Sequence, residues 1–574
     1  MDSGAARGDD DARRPERLIS IEGSCAVTID GSRIEYDIAE VELRQYIDRH
    51  HVLQIKIRER AEDTTRDVST YAGFLGKAAS LTIEPTGGVV ESSRSLTFVG
   101  VVTRIDQSND IDSINVTTIE AHSPTIAMDG ARRNAFFRDQ SGSDIIGAIV
   151  RDYPITVGNI ESTSARMSFC VQHRQTDFDF VMQLATGAGL FAHYDGQEFL
   201  ATKPSSSGAV ELTWRETLGA FSIGLGTKSQ EFTARVYNYE QTKAYEQDTK
   251  SVQSQASLSN LTRKSPDASS EIYTKPGFST VPKVVNDARS LDDALLFEKN
   301  RARGRMITCH GHSSVPEVKV GKCIHVRGLG DIDGHYLVLA VTHNFSSTGS
   351  YHNEFVCCPL DIAYPTYQSK GAPATQLQSA VVVDNNDPDQ LGRIKVKFHW
   401  LEGEETPWVR VLTPHAGADY GSYVIPEIDD EVLVGYEFGS PNYPIVLGSL
   451  YNSDAPPQAD AVNPENEVKQ FLTKGGNLIK ITDTSGEEEI AISTKGGDNK
   501  LVLNMSGPSI TIESKGDISI KGANVTVEAD QEITIKSGSN ANFEAGANAA
   551  LKASGTLDAE GAMTNVKGNP INLN

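Results

Sequence analysis

The sequence predicts a mainly β protein with some α structure: a β-barrel hub of α+β type, a small OB-fold barrel and an intertwined trimeric β-helix needle. Three observations carry this. From Leu18 to about Leu360 apolar and polar residues alternate, as they do in half-buried strands. Five or six short strands are then crowded between residues 380 and 447, separated by Gly, Pro and Asp turns. In the last hundred residues, apolar pairs at positions x and x+2 recur at a spacing that tightens into an octad, the mark of a repeat architecture.

In chain order, residues 1–17 are charged and apolar-poor and read as a flexible tail. The hub region is 18–363. It holds three helix starts: Ser141 with Asp144, Thr176 with Asp179, and Ser290 with Asp293. In each, a hydroxyl caps free amides and an acid three residues on favours the positive helix end. Leu190 to Tyr194 and Glu198 to Leu200 flank Asp195-Gly196, a hairpin signal. Between about Gln241 and Ser279 the chain is Ser-, Gln- and Lys-rich with little periodicity, which predicts a long surface excursion.

Pro365, Gly371 and Pro373 mark a linker over 364–375. The barrel spans 376–452, with strands expected at 380–383, 392–400, 407–412, 422–425, 431–438 and 444–447, a pattern that fits an OB-fold. A Pro-rich linker, 453–470, leads to the needle, 471–574.

The needle pairs are Ile479/Ile481, Ile490/Ile492, Leu501/Leu503, Ile510/Ile512, Ile518/Ile520, Val525/Val527, Ile533/Ile535, Ala541/Phe543, Ala549/Leu551 and Leu557/Ala559, spaced 11, 11, 9, 8, 7, 8, 8, 8 and 8 residues apart. Each unit reads as a three-residue strand with two inward side chains, too short to bury its face alone. An octad is also too short for a single-chain solenoid coil, so several chains must share each layer, and a homotrimer is the natural closure. Ten layers at strand spacing make a rod of roughly 50 Å. The inward residues shift toward Ala after Ile535, which predicts a taper. On the outward position Glu513, Lys521, Glu528, Lys536, Glu544, Lys552 and Glu560 alternate in sign without a break. Exposed pairs contribute about 0 to 1 kcal/mol each, so their larger effect is on register: a one-layer slip sets like charges together.

The chemistry that the sequence excludes is as informative. The 574 residues carry 53 Lys and Arg against 77 Asp and Glu, a net charge of −24, which repels phosphate backbones and anionic lipid. Residues 376–464 hold four basic and fourteen acidic side chains, so the barrel lacks the cationic groove of a nucleic-acid-binding OB-fold. Phe398, Trp400, Trp408, Tyr423 and Tyr436 are accordingly read as core or subunit packing. No apolar run is long enough for a membrane helix, and the N-terminus is acidic where a signal peptide is basic, which predicts cytoplasmic synthesis. The six cysteines form no framework and are expected reduced. Cys309, His310, His312, Cys323, His325, His335, His343 and His352 fall close together, but without CxxC or HxxxH spacing, and the alternation around them reads as strands rather than a zinc site. Glu402, Glu404 and Glu405 are adjacent and read as a solvated loop, not as two carboxylates facing across a cleft. No nucleophile motif, P-loop or HExxH occurs. The expectation is a protein that is not an enzyme and uses no cofactor or metal.

Several stretches carry a resemblance. Phe169 to Phe180 (FCVQHRQTDFDF), Asp387 to Trp400 (DPDQLGRIKVKFHW), Trp408 to Arg410, Gly421 to Val434 (GSYVIPEIDDEVLV) and Pro441 to Asn452 (PNYPIVLGSLYN) resemble the VgrG-type spike proteins of type VI secretion and related contractile injection systems, which fuse the hub and needle of contractile phage tails. The resemblance implies a homotrimer on the inner tube and baseplate, a PAAR-type tip protein on the needle, puncture of a target envelope on sheath contraction, and carriage of cargo effectors. Asn569, Pro570, Ile571, Asn572, Leu573 and Asn574 are the candidate cap-binding tip. Rival readings are a trimeric tail spike or adhesin and a tail-associated lysozyme. The recognisable hub disfavours the first. The short connector between Asn452 and Phe471, with no room for a fused effector after the needle, disfavours the second.

Overall fold

The computed structural model describes residues 19–59, 68–86, 95–108, 115–252, 258–279, 288–369, 375–400 and 403–572. The expected tail, Glu402 and the last two tip residues, Leu573 and Asn574, lie outside these. The chain forms two compact units, Met1–Ala455 and Pro456–Asn574.

In the first unit, thirteen strands join one continuous sheet that closes on itself twice. Both closures share the long antiparallel pair Gly334–Ser346 and Ser350–Pro359. On one side, strands Ile21–Ile29, Ala78–Pro85, Leu96–Ser108, Asn115–His122, Val52–Glu59 and Ile38–Tyr46 complete the first barrel. Its interior is filled by alternate residues such as Leu43, Leu53, Ile55, Leu81, Phe98 and Ile119. On the other side, Cys323–Arg327, Val210–Thr213, Leu218–Leu225 and Ile307–Ser313 form a second barrel, completed by a bridge from Trp214 to Leu218. Leu212, Cys309, Ile324, Val338, Phe355 and Cys357 pack inside it. Closure in both places removes the exposed strand edges that a large open sheet would present.

A third layer lies beside the barrels. Helix Gly142–Arg151 starts at Ser141, whose Oγ accepts from the Asp144 amide while the Asp144 carboxylate accepts from the Ser141 amide. Helix Asp177–Gly187 starts at Thr176, whose Oγ1 accepts from the Asp179 amide. Both starts fall where the sequence places them. The hairpin also forms, with Phe191 opposite Thr202 and Tyr194 opposite Phe199; Asp195 caps its four-residue loop by accepting from the amides of Gln197 and Glu198.

Two expectations are corrected here. The segment from Gln241 to Ser279 is not an excursion without periodicity. Its described residues contribute strands Lys243–Asp248 and Gly277–Ser279, which flank Phe232–Asn238, and helix Asn260–Ile272. That helix buries Thr262, Ser265, Pro266 and Ser269, a face of three small hydroxyl residues and a proline with no apolar stripe to read. The helix expected from Ser290 already runs at Ala288 and extends to Arg303, which places Ser290 inside it rather than at its cap.

The OB barrel sheet runs Lys395–Phe398, Gln378–Asp384, Glu431–Tyr436, Pro444–Ser449, Arg410–Val411. Paired backbone hydrogen bonds between Ile394 and Val409, of 2.9 and 2.8 Å, close it. Residues 422–425 are not a strand: Tyr423 and Val424 stand in solvent, and the local pairing is instead the two-residue ladder of Ala416–Gly417 with Tyr420–Gly421.

Candidate functional site

Two surfaces bear on function, one in each unit: the junction of hub and OB barrel, and the apolar row of the needle.

At the junction, the strand Cys170–Thr176 of the quoted FCVQHR stretch meets the barrel. The Val171 amide donates to Asn442 Oδ1 at 2.8 Å. His173 packs against Trp400 with ring centroids 5.8 Å apart, and Trp400 Nε1 donates to Gln378 Oε1 at 2.6 Å. Phe136 of the hub reaches the barrel's own core. The turn after Phe232–Asn238 also engages the barrel: the Arg410 guanidinium lies 4.5 Å from the centre of the Tyr239 ring, and Arg393 Nη1 lies 3.2 Å from Glu240 Oε1.

Arg393 is the centre of this arrangement. Its buried guanidinium forks onto Asp387, with Nε and Nη2 at 3.0 and 2.8 Å from the two carboxylate oxygens. Asp387 also accepts from the amides of Asp389, Leu391 and Arg393. The guanidinium, then these amides, hold the Asp387 carboxyl well below the ordinary carboxylate range. The loop can wrap around one carboxylate because Gln390 and Gly392 adopt positive φ, 57° and 70°. The role of this stretch as a hub-to-barrel tie is not visible in the sequence. The available signal was an Asp and an Arg flanking Leu391-Gly392 in an otherwise acidic domain.

The aromatic residues divide. Phe398 is buried, Trp400 and Tyr436 stack on it, and Trp408 carries the Lys395 ammonium at 5.0 Å, whereas Tyr423 is 80% exposed. Glu405, read as solvated, instead pairs with Lys395 at 2.8 Å and lies beside Arg138. The histidines of the expected cluster lie on strands, as read, and point different ways. Cys309, Cys323 and His343 are buried, whereas His310 and His335 face out.

In the second unit, strands Val468–Leu472, Leu478–Thr482, Glu489–Ser493, Asn499–Asn504 and Ser509–Ser514 form an antiparallel meander. The apolar pairs meet in register: Ile479 opposite Ile492, Ile492 opposite Leu501, Leu501 opposite Ile512. This corrects the expectation that every unit is a three-residue strand. Where the pairs are 11 or 9 residues apart the chain has room to turn back on itself, and at eight it does not. From 516 to 572, among the described residues, no strand and no backbone hydrogen bond between residues of the chain occurs. The backbone instead bends every seven or eight residues, from 515–516 to 569–570. Every described residue of this stretch is exposed, Ile520 at 77% and Leu551 at 82%. Glu513 pairs with Lys500 at 2.8 Å; Lys521, Glu528, Lys536, Glu544, Lys552 and Glu560 are exposed and project into solvent. Of the tip, Asn569 to Asn572 are described and exposed, Ile571 among them.

A fused double barrel that carries an OB barrel on an interlocked junction defines a tail-hub and injector class of protein. Residues 50–349, more than half of the chain, match the phage tail baseplate hub (GPD) family, and residues 378–451 match the type VI secretion system/phage-baseplate injector OB domain. The chain belongs to the phage tail baseplate hub family. Its relatives are VgrG-type spikes. It is 25% identical over 509 residues to the type VI secretion system spike protein VgrG1b of Pseudomonas aeruginosa, covering 79% of this chain and 65% of that one. To VgrG1c of the same organism it is 25% identical over 462 residues, covering 73% and 62%. The chain thus spans a little under two thirds of the length of these relatives. A chain of the Francisella PdpA-VgrG complex, half-lidded, shares the fold at a TM-score of 0.58 and 9% identity, covering 87% of this chain and 89% of that one. Among the described residues no helix is long and apolar enough to cross a membrane.

Proposed function

We propose that three copies of this chain form the spike of a contractile injection system, with the hub seated on the inner tube and baseplate and the needle directed at the target envelope. The single observation that supports this reading is the run from 516 to 572, whose apolar side chains and backbone groups have no partner strand among the described residues. A row of exposed Ile, Val and Leu every eight residues, with open backbone donors and acceptors, is satisfied by neighbouring copies of the same row. In that arrangement the alternating charges from Glu513 to Glu560 fix register, and the spike acts mechanically rather than as an enzyme. Sheath contraction drives it through the envelope, together with any cargo effector.

Sedimentation of the full chain tests the assembly. Trimers are expected for the wild type and monomers for the double variant Ile520→Asp, Ile535→Asp; a monomeric wild type sinks the reading. The tip residues Asn569 to Asn574, with the exposed Ile571, are the proposed seat of a PAAR-type cap. Their deletion is expected to abolish cap binding while the trimer persists, and unchanged cap binding would refute that role.

A further inference from the structure

The outer wall of the second barrel carries three side chains that the spike reading does not use. Strands Val210–Thr213, Cys323–Arg327 and Gly334–Ser346 lie side by side, and Glu211, His325 and His335 stand directly opposite one another across them. The two imidazoles stack with centroids 4.3 Å apart and planes 11° from parallel. His325 Nδ1 lies 2.9 Å from Glu211 Oε1. Arg327 Nε lies 2.8 Å from Glu211 Oε2 and 3.3 Å from His325 Nδ1, its shorter contact being to the carboxylate.

These contacts have chemical consequences. A carboxylate beside Nδ1 selects the tautomer that keeps its proton there, which turns the Nε2 lone pair outward. The same carboxylate–imidazole arrangement orients metal-bound histidines and raises their basicity. Glu211 also offsets the charge of Arg327, which would otherwise repel a cation. An ion bonded at about 2.0–2.1 Å to two nitrogens in tetrahedral geometry holds them about 3.3 Å apart, with each lone pair turned about 55° from their bisector; the rings, stacked 4.3 Å apart and nearly parallel, must therefore rotate out of the stack so that both ring planes meet at the ion. Among the described residues no three His, Cys, Asp or Glu side chains surround one ion position, and Cys323 on the same strand is buried in the barrel. The site is therefore an open, two-nitrogen one.

We propose that His325 and His335 form a cross-strand chelate for a divalent transition-metal ion of the zinc or nickel type, with Glu211 orienting His325 and water completing the coordination. Imidazole suits these ions, and open water positions suit a site on a barrel wall. Such an ion ties two neighbouring strands and is lost on unfolding, so it stabilises the barrel by mass action.

Calorimetric titration of the full-length, tag-free chain with Zn²⁺, and separately with Ni²⁺, tests this. One ion per chain is expected. His325→Gln and His335→Gln are each expected to weaken binding more than tenfold, and Glu211→Gln by about 10–100-fold, as for other carboxylates that orient a metal-bound histidine. Added ion should raise the melting temperature of the wild type but not of His335→Gln, which alters an exposed side chain and should keep the wild-type circular dichroism spectrum. Absence of saturable binding overturns the site, as does a His335→Gln variant that binds as tightly as the wild type. The readout is independent of trimer formation.

Discussion

Asp387 and Arg393 place two opposite charges almost out of water, with side chains 3% and 7% exposed. Removing one partner of such a pair strands the other. Asp387→Asn is therefore expected to destabilise the OB barrel by about 3–5 kcal/mol, read as an earlier urea transition of the barrel. Glu240→Gln, which touches Arg393 from the exposed side, should cost far less. Histidine sets a second residue-scale property. His51 and His343 are fully buried in the first barrel. His51 donates through Nε2 to the Tyr46 carbonyl, and His343 lies between Tyr351 and Gln45. Desolvation is the main cause that lowers both to about 3, with His193 and His50 adding to it at His51 and Lys319 at His343. These groups are neutral when folded and bind protons below about pH 6.5 when unfolded. Stability is therefore complete above about 6.5 and falls as the pH drops toward 3, by about 1.4 kcal/mol per pH unit for each histidine. Urea unfolding at pH 7 and pH 4.5 should show this slope, and His343→Gln should flatten it by about half.

At the scale of elements, the shared strand pair is the most constrained. Gly311, on the strand next to Ser350–Pro359, lies opposite Phe355, whose ring covers it so closely that a Cβ on Gly311 would fall 2.2 Å from the Phe355 Cζ. Gly311→Ala must push that ring out of the second barrel's core, and a cost of about 1–3 kcal/mol is expected, measurable as a lowered melting temperature. No sequence pattern marks this glycine, because its constraint comes from a strand more than forty residues away. The helix starts at Ser141 and Thr176 were legible because a cap is local chemistry. Helix Asn260–Ile272 was not, because its buried face is Thr262, Ser265, Pro266 and Ser269, and a proline in a helix interior normally argues against a helix. The interlock of His173, Asn442, Glu240 and Arg393 was hidden for the same reason as Gly311. Each residue looks like an ordinary solvated side chain until its partner, distant in sequence, is beside it.

For the whole molecule, the charge column offers a test that leaves the apolar row intact. Replacing Lys521, Lys536 and Lys552 together with Glu makes the column from Glu513 to Glu560 uniformly acidic. With each exposed pair contributing about 0 to 1 kcal/mol, the expected result is a trimer that still forms but melts lower. The deficit should grow at low ionic strength and shrink in about 1 M salt, where screening acts over about 3 Å. A melting temperature unaffected by these substitutions would remove the register role.

The sequence by itself determined the order of the parts, the β character of the chain, the two helix caps, the anionic composition of the OB barrel and the eight-residue rhythm of the last repeats. All of these are short-range properties: alternation, local capping, composition and repeat spacing are complete within a few residues. Only the tertiary structure decided that twelve strands close into two barrels over one shared pair, that Arg393 ties hub to OB barrel, that the meander ends where the spacing tightens to eight, and that Glu211, His325 and His335 stand in one row. Those depend on which distant strands pair and in which register, and a one-residue change of register sends every side chain to the opposite face.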